Sequence, residues 1–116
     1  EIKEYIRKNE ERFLDELASL VRIPSVSAKP EHRADIDRCA ARWRCRAAAG
    51  ADKACVMPSE GNPLVYAEKC VDASRPTVLV YAHYDVMPPE PLELWRTPPF
   101  ELTVADGRVW GRGADD

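Results

Sequence analysis

The stretch TVLVYAHYDV, residues 77–86, decides the fold prediction. The run 77–82 is continuously apolar after its first residue, which predicts a strand buried on both faces of a sheet. Binding sites in α/β sheets form at the carboxyl ends of strands, so the polar residues that follow are candidates for chemistry. His83 and Asp85 are two residues apart and point to the same side of an extended backbone.

The spacing of His83 and Asp85 is compatible with three roles. The carboxylate can hold one imidazole nitrogen, so that the other nitrogen binds a metal. It can instead orient the imidazole as a general base. The third interpretation is a salt-bridged pair on the surface, without function.

The sequence outside this stretch predicts two helices, then strands. An amphipathic helix is expected over 2–22, and a second helix over about 33–49, with Gly50 as its C-terminal cap. The predicted buried face of the second helix comprises Ile36, Ala40, Trp43 and Ala47. Further strands are predicted at 53–57 and 64–69, and a hairpin at 102–104 and 108–110, around Ala105-Asp106-Gly107. Helices followed by a buried central strand indicate an α/β sandwich.

A proline-rich segment, residues 87–100, separates the buried strand from the hairpin. It holds five of the ten prolines, which excludes a helix or a central strand. Its leucines, tryptophan and phenylalanine predict a rigid, packed loop beside a site. A proline-rich ligand for a partner protein is the alternative.

Length, charge and cysteine spacing limit the possible functions. With 116 residues the chain is sized for one small domain, and its net charge of -3 argues against nucleic-acid binding. Residues 51–116 carry 6 basic and 11 acidic side chains, a balance of -5 that favours a cation site there. No apolar run approaches the roughly 20 residues of a membrane helix. Four cysteines match no zinc-finger spacing, and we expect them to be reduced in a cytoplasmic protein; a redox or metal-storage role for them is a minor alternative.

The last six residues, GRGADD at 111–116, hold a second cluster of interest. Two glycines permit tight turning of the backbone, and two adjacent carboxylates favour a cation. Zinc and similar metals take histidine nitrogen together with carboxylate oxygen. A solvated acidic segment is the alternative.

The order of five segments closely resembles the pattern of one known family. The segments are the apolar strand, HYDVMPP, the loop ending in WRTPPF, the hairpin with its Asp-Gly turn, and GRGADD. The family is the co-catalytic zinc aminoacylase, carboxypeptidase G and carnosinase-type dipeptidase family. LVRIPSVS and GNPLVYAEK also resemble its first helix and second strand, so the resemblance spans nearly the whole chain. Ala82 stands where the family usually has glycine, and the second helix lacks the usual leucines. The resemblance implies that residues 1–116 form the N-terminal portion of an α/β sheet-and-helix sandwich, the catalytic domain of a two-metal aminopeptidase-like fold.

The resemblance also implies roles for individual residues. His83 would ligate one metal, and Asp85 would be the catalytic-site carboxylate that orients it. The family's bridging aspartate lies three residues after the second glycine of its G-x-G, and counting from Gly113 gives Asp116, with Asp115 as its neighbour. The implied cofactors are two divalent metal ions, zinc in the first place, with manganese or cobalt as alternatives.

The implied function is hydrolysis of an amide bond in a dipeptide or N-acyl amino acid by a metal-activated water. In the family the general base and the remaining ligands follow the bridging aspartate, so these 116 residues are expected to be inactive alone and active within a longer parent. That parent is expected to be a cytoplasmic homodimer without nucleic-acid or membrane partners. The alternative is a non-catalytic module or scaffold that retains only the start of the fold.

Overall fold

A computed structural model describes residues 1–116, and the chain divides into two compact units. One unit comprises residues 25–85, and the other combines residues 1–24 with residues 86–116. The helices are α1 (Ile2–Lys8), α2 (Glu10–Val21) and α3 (Arg33–Ala48), and the strands are β1 (Lys53–Met57), β2 (Leu64–Glu68), β3 (Thr103–Ala105) and β4 (Arg108–Trp110). Short 3-10 turns lie at Pro30–His32 and Leu92–Leu94. None of the helices has the length and apolar character needed to span a membrane.

In the 25–85 unit, helix α3 packs on the β1–β2 hairpin. The helix was predicted within one residue of its observed bounds, and Ile36, Ala40 and the unpredicted Cys39 form its buried face. Trp43 was wrongly predicted as buried, since 40% of it is exposed. Three small or medium side chains in the interface mean that α3 contributes a thin core.

The predicted cap of α3 at Gly50 is wrong. The helix ends at Ala48, its cap residue Ala49 has right-handed dihedrals of -67° and -19°, and Gly50 has no positive φ. A glycine cap requires a left-handed residue after the last turn. Here the Gly50 and Ala51 N–H groups instead continue to donate to the carbonyl of Ala47, so the chain leaves the helix without reversing its hand.

Strands β1 and β2 pair antiparallel, with Lys53 opposite Glu68 and Met57 opposite Leu64. The first strand has its predicted bounds, and the second ends one residue earlier than predicted, at Glu68. Beyond Glu68, the Asp52 carboxylate accepts hydrogen bonds from the backbone N–H of Cys70 at 2.8 Å and from Lys69 Nζ at 2.7 Å. These side-chain contacts replace the next rung of the ladder.

The predicted central strand at 77–82 is not a strand in this structure. The segment lies in no sheet, and Leu79 and Tyr81 are 89% and 91% exposed. Apolar sequence supplies the tendency to form a buried strand, but a strand also requires neighbours that accept its backbone hydrogen bonds. Both sheets of the chain are two-stranded hairpins, and neither includes this segment. The segment is an exposed apolar stretch that ends at His83.

The predicted single helix over 2–22 is interrupted at Asn9 in the other unit. Asn9 has φ -114° and ψ 10°, and its side-chain amide donates to the carbonyl of Tyr5 at 2.8 Å. Asparagine competes in this way with the helical hydrogen bonds of the backbone, which separates α1 from α2. Of the predicted apolar face, Val21 alone is fully buried, and Ile6 is half-exposed.

The predicted hairpin is confirmed: β4 has its predicted bounds, β3 lies one residue later than predicted, and Asp106 and Gly107 join them. Both turn residues have positive φ, 53° and 70°, which is the turn whose twist matches that of two antiparallel strands. The prediction of a loop at 87–100 is also confirmed, since its only regular element is a three-residue 3-10 turn. Its predicted packing is wrong for the two leucines: Trp95 Nε1 donates to the carbonyl of Pro89 at 2.7 Å, but Leu92 and Leu94 are 57% and 75% exposed.

Candidate metal centre

His83 and Asp85 meet in the 25–85 unit, as their spacing predicts. His83 Nδ1 lies 3.0 Å from the backbone oxygen of Asp85 and 3.3 Å from its Oδ1. Both acceptors favour a proton on Nδ1, and this tautomer leaves the lone pair on Nε2. The side chains are 56% and 40% exposed, so the ring is accessible from solvent. The pair therefore has the form of a carboxylate-oriented metal ligand.

Ser27 fixes the far side of the carboxylate. Its hydroxyl donates to Asp85 Oδ2 at 2.5 Å, while Oδ1 faces His83. A carboxylate held at both oxygens cannot rotate without breaking a hydrogen bond to a charged group, and such bonds are about twice as strong as neutral ones. Ser27 thus sets the plane in which Asp85 meets the imidazole.

Tyr84 anchors the backbone between the two residues. Its carbonyl accepts a hydrogen bond from Ser25 Oγ at 3.0 Å and a weaker one from Cys39 Sγ at 3.6 Å, and its own hydroxyl donates to the carbonyl of Pro63 at 2.6 Å. Ser25 and Cys39 are buried, so water does not compete for these bonds. The backbone of the site is therefore held by Cys39 of α3 and by Ser25 of the segment that precedes α3.

Burial shifts the ionisation of two groups in this anchor. The pKa of the Cys39 thiol is raised, chiefly because burial disfavours the thiolate. The pKa of the Tyr84 phenol is raised as well, first by burial and then by nearby negative charges. Both groups stay neutral around pH 7, so they support the backbone through neutral hydrogen bonds.

Sequence reasoning missed Ser25, Ser27 and Cys39 as parts of the site. The segment IPSVS follows the first predicted helix, and its two serines alternate along it with the same period of two as His83 and Asp85. That shared period is a signal that could have paired the segments. No comparable pattern in the sequence pairs Cys39 with Tyr84, because helical spacing can indicate only whether a residue of α3 is buried.

The GRGADD turn belongs to the other unit, where its glycines are required. Gly113 has φ +77°, and a Cβ there would lie 2.6 Å from Val86 Cγ1. A Cβ on Gly111 would lie 3.0 Å from Val21 Cγ1. The turn closes through a hydrogen bond from the Ala114 N–H to the Gly111 carbonyl at 3.2 Å. Asp115 and Asp116 follow directly, so the predicted backbone turning is present.

The chain does not bring together a complete metal site. Nowhere in it do three or more histidine, cysteine, aspartate or glutamate side chains form a group that could hold a metal ion. His83 and Asp85 meet; the bridging role of Asp116 and the neighbouring role of Asp115 stay predictions. A catalytic zinc takes three protein ligands and a water, so the residues present fit one prepared ligand and not a whole site.

Comparison with known sequences places these residues in a family context. Residues 79–116 match the sequence profile of peptidase family M20/M25/M40. The chain is 36% identical to a cysteinylglycine-S-conjugate dipeptidase of Corynebacterium striatum, over 93% of this chain and 24% of that protein. It is also 36% identical to a Cys-Gly metallodipeptidase of Schizosaccharomyces pombe, over 97% of this chain and 26% of that protein.

Solved structures agree with the sequence comparison. The dipeptidase Dug1p of Saccharomyces cerevisiae superposes with a TM-score of 0.85 at 26% identity, over 96% of this chain and 26% of that one. Human carnosine dipeptidase 1 superposes with a TM-score of 0.82 at 30% identity, over 95% and 26% of the two chains. The fold is thus that of the N-terminal portion of these catalytic domains, and the resemblance identified from the sequence is confirmed. The chain spans about a quarter of the length of the curated relatives it matches.

Proposed function

Because this chain matches peptidase family M20/M25/M40 in sequence and the N-terminal portion of its members in fold, we propose that it supplies part of the metal site of an amide hydrolase. The observation that carries the proposal is the imidazole of His83, held on Nδ1 by Asp85 within the family-matched residues. A histidine oriented in this way presents Nε2 as a metal ligand.

The proposed roles divide the site into one prepared ligand and one bridging ligand. His83 would bind a metal, and Asp85 would hold its ring and raise its basicity. Asp116 would be the bridging ligand through its carboxylate, and Asp115 would contribute negative charge beside it. The proposed cofactors are two divalent ions, zinc in the first place and manganese or cobalt as alternatives. When bound, such a pair supplies a water molecule of lowered pKa as the nucleophile.

We assign the substrate as a small peptide, with N-acyl amino acids as the second class. Both close relatives are named for Cys-Gly or cysteinylglycine-conjugate dipeptides, and a structural neighbour is named for carnosine. These molecules share one amide bond between two small units. We place the enzyme in the cytoplasm as a homodimer without nucleic-acid or membrane partners, and residues 1–116 as the N-terminal portion of its catalytic domain.

The 116 residues by themselves are proposed to be inactive, since they hold no group of three ligands. Titration calorimetry of this chain with zinc should show weak binding at most. A tight stoichiometric site on the monomeric chain would contradict the proposal, because it would mean that the 116 residues complete a metal site alone.

The activity is tested in a protein of the relatives' length that contains this chain. We expect hydrolysis of Cys-Gly or β-Ala-His with added zinc or manganese, and its loss in His83→Ala and Asp116→Ala. Asp106→Asn is the matched control, because it removes a carboxylate from the exposed β3–β4 turn, where asparagine tolerates the positive φ. Full activity of the Asp116 variant would overturn the assignment of the bridge.

A non-catalytic module or scaffold is the second candidate. The observation in its favour is the absence of a complete ligand group in the chain. It predicts that a protein of the relatives' length neither binds two metals nor hydrolyses any dipeptide, whereas the first proposal requires both. Metal content of the purified protein and a dipeptide assay distinguish the two.

A further inference from the structure

Arg112 makes contacts that the proposed chemistry does not use. Its guanidinium carbon lies 4.9 Å from the ring centroid of Trp95, and its Nη2 donates to the carbonyl of Pro88 at 3.2 Å. Its backbone N–H donates to the carbonyl of Pro99 at 2.6 Å. One residue therefore contacts the 87–100 loop near its beginning, at its middle and near its end.

The loop relies on side-chain donors and on Arg112 for several of its carbonyls because it is rich in proline. A proline has no N–H to donate, so carbonyls in such a loop find few backbone partners of their own. The structure gives the carbonyls of Pro88 and Pro99 to Arg112, and that of Pro89 to Trp95 Nε1. A cavity of about 700 Å³ lies beside this contact, lined by the loop and the hairpin. The contact through Arg112 is thus the tie between the loop and the turn.

The turn has no other side chain that could serve this purpose. Arg112 stands between Gly111 and Gly113, whose missing side chains let the backbone approach Val21 and Val86 closely. Val21 and Val86 pack against the two glycines, while Arg112 connects the turn to the 87–100 loop. Asp115 and Asp116 follow the turn directly, so the conformation of the turn determines the direction in which the backbone enters them.

Burying an arginine at position 112 also carries a cost in free energy. The Nε of Arg112 is buried without a hydrogen-bond partner. A buried donor of this kind costs free energy, and an apolar side chain of similar length would avoid that cost. What arginine adds is a planar group that stacks on an indole and donates in a fixed direction at the same time.

We propose that Arg112 is a positioning residue, which clamps the 87–100 loop to the Gly111–Ala114 turn and thereby sets where Asp116 presents its carboxylate. The inference rests on the proposed function for its catalytic consequence. Its structural content, the coupling of turn and loop, stands on the contacts alone. Two measurements separate these two parts.

The first measurement uses the 116-residue chain and needs no metal. Amide hydrogen exchange is followed by NMR in the wild type, in Arg112→Met, and in the control Arg96→Met. Arg96 lines the same cavity but is exposed and makes none of the contacts described for Arg112. Arg112→Met should speed exchange of the Ala114 N–H, which donates to the Gly111 carbonyl, by about tenfold or more and leave β1 and β2 unchanged. Equal exchange of the Ala114 N–H in the wild type and Arg112→Met would overturn the inference, whatever the activity of the protein.

The second measurement uses a protein of the relatives' length. Arg112→Met fills similar space and removes the unpartnered Nε, but it also loses the hydrogen bond to the Pro88 carbonyl and the contact with Trp95, so the unfolding midpoint should fall only modestly. Zinc affinity should fall by about 10–100-fold, the usual effect of losing a group that orients a ligand. Arg112→Ala should regain part of this affinity with millimolar guanidinium, and Arg96→Met should bind zinc like the wild type. Unchanged zinc affinity in both Arg112 variants of an active enzyme would overturn the inference. An inactive, metal-free wild type would overturn the proposed function instead, and hydrogen exchange would still decide the role of Arg112.

Discussion

Gly113→Ala should be one of the most destabilising single-methyl substitutions in this chain. Gly113 has φ +77°, and the added Cβ would lie 2.6 Å from Val86 Cγ1 and 3.9 Å from its Cβ. Carbon atoms in contact ordinarily stay at about 3.5–4.0 Å, so one of the two groups has to move by about 1 Å. Val86 is β-branched and holds a restricted χ1, which limits how far its methyl can turn away.

The cost is the sum of a backbone term and a steric term. A residue with a Cβ in the left-handed region loses about 1–2 kcal/mol, partly offset by about 0.4–1 kcal/mol because alanine restricts the unfolded chain. Forcing an extra methyl into a packed contact costs about 1–3 kcal/mol more. Gly107 has φ +70° but nothing within 4 Å of the added Cβ. Gly107→Ala therefore isolates the backbone term, and Gly113→Ala should exceed it by about 1–3 kcal/mol.

Urea unfolding followed by tryptophan fluorescence measures the difference in free energy of unfolding between the two glycine variants. Trp95 and Trp110, which lie in the same unit as Gly113, serve as reporters. Val86→Ala provides a double-mutant cycle, since removing the methyls should reduce the cost of Gly113→Ala to that of Gly107→Ala. The reasoning is refuted if the two glycine variants lose the same free energy of unfolding, or if Val86→Ala leaves the cost of Gly113→Ala unchanged.

The remaining predictions concern the ligands and a buried thiol. In a protein of the relatives' length, Asp116→Asn should abolish dipeptide hydrolysis while Asp115→Asn retains part of it; the reverse order would place the bridge one residue earlier. Asp85→Asn should lower metal affinity or turnover by about 10–100-fold, measured by calorimetry and initial rates, because the ring loses the charge that raises its basicity. Since burial raises the pKa of the Cys39 thiol, the neutral thiol stabilises the fold, and the free energy of unfolding should fall as the pH rises through that raised pKa. Iodoacetamide at mildly alkaline pH should modify the exposed Cys70 before Cys39, which mass spectrometry of the labelled peptides would show.

Local sequence signals predicted the elements whose partners are close along the chain. The Asp106-Gly107 pair predicts its hairpin, because both positions need a positive φ and few residues other than glycine and aspartate or asparagine adopt it readily. The proline density of 87–100 predicts a loop for an equally local reason. Helix α3 and strand β1 follow from periodicity and length, and they occur within one residue of the expected bounds.

The predictions that failed depended on partners that a single stretch of sequence does not contain. The apolar character of 77–82 is a real strand signal, but strand formation needs adjacent backbones, and this chain pairs none with it. The burial of Trp43 was inferred from helical spacing, yet only Ile36, Cys39 and Ala40 of α3 are buried, and Trp43 is 40% exposed. The break at Asn9 lay within reach of sequence reasoning, because asparagine inside a helical pattern is a known competitor for backbone hydrogen bonds.

His83 and the Gly111–Ala114 turn lie in different units and are held in place by different physical means, which explains which of their supports could be predicted from the sequence. The Gly111–Ala114 turn depends on glycines, because a Cβ at Gly111 or Gly113 would lie too close to a neighbouring valine. A G-x-G pattern is visible directly in the sequence. His83 is set by hydrogen bonds from Ser25 and Ser27, about sixty residues earlier, to a carbonyl and a carboxylate. Serine is common in connectors, so its role emerges only when the fold brings the connector beside Tyr84 and Asp85. Ligand geometry at His83 should accordingly be sensitive to changes in the connector that leave His83 itself untouched.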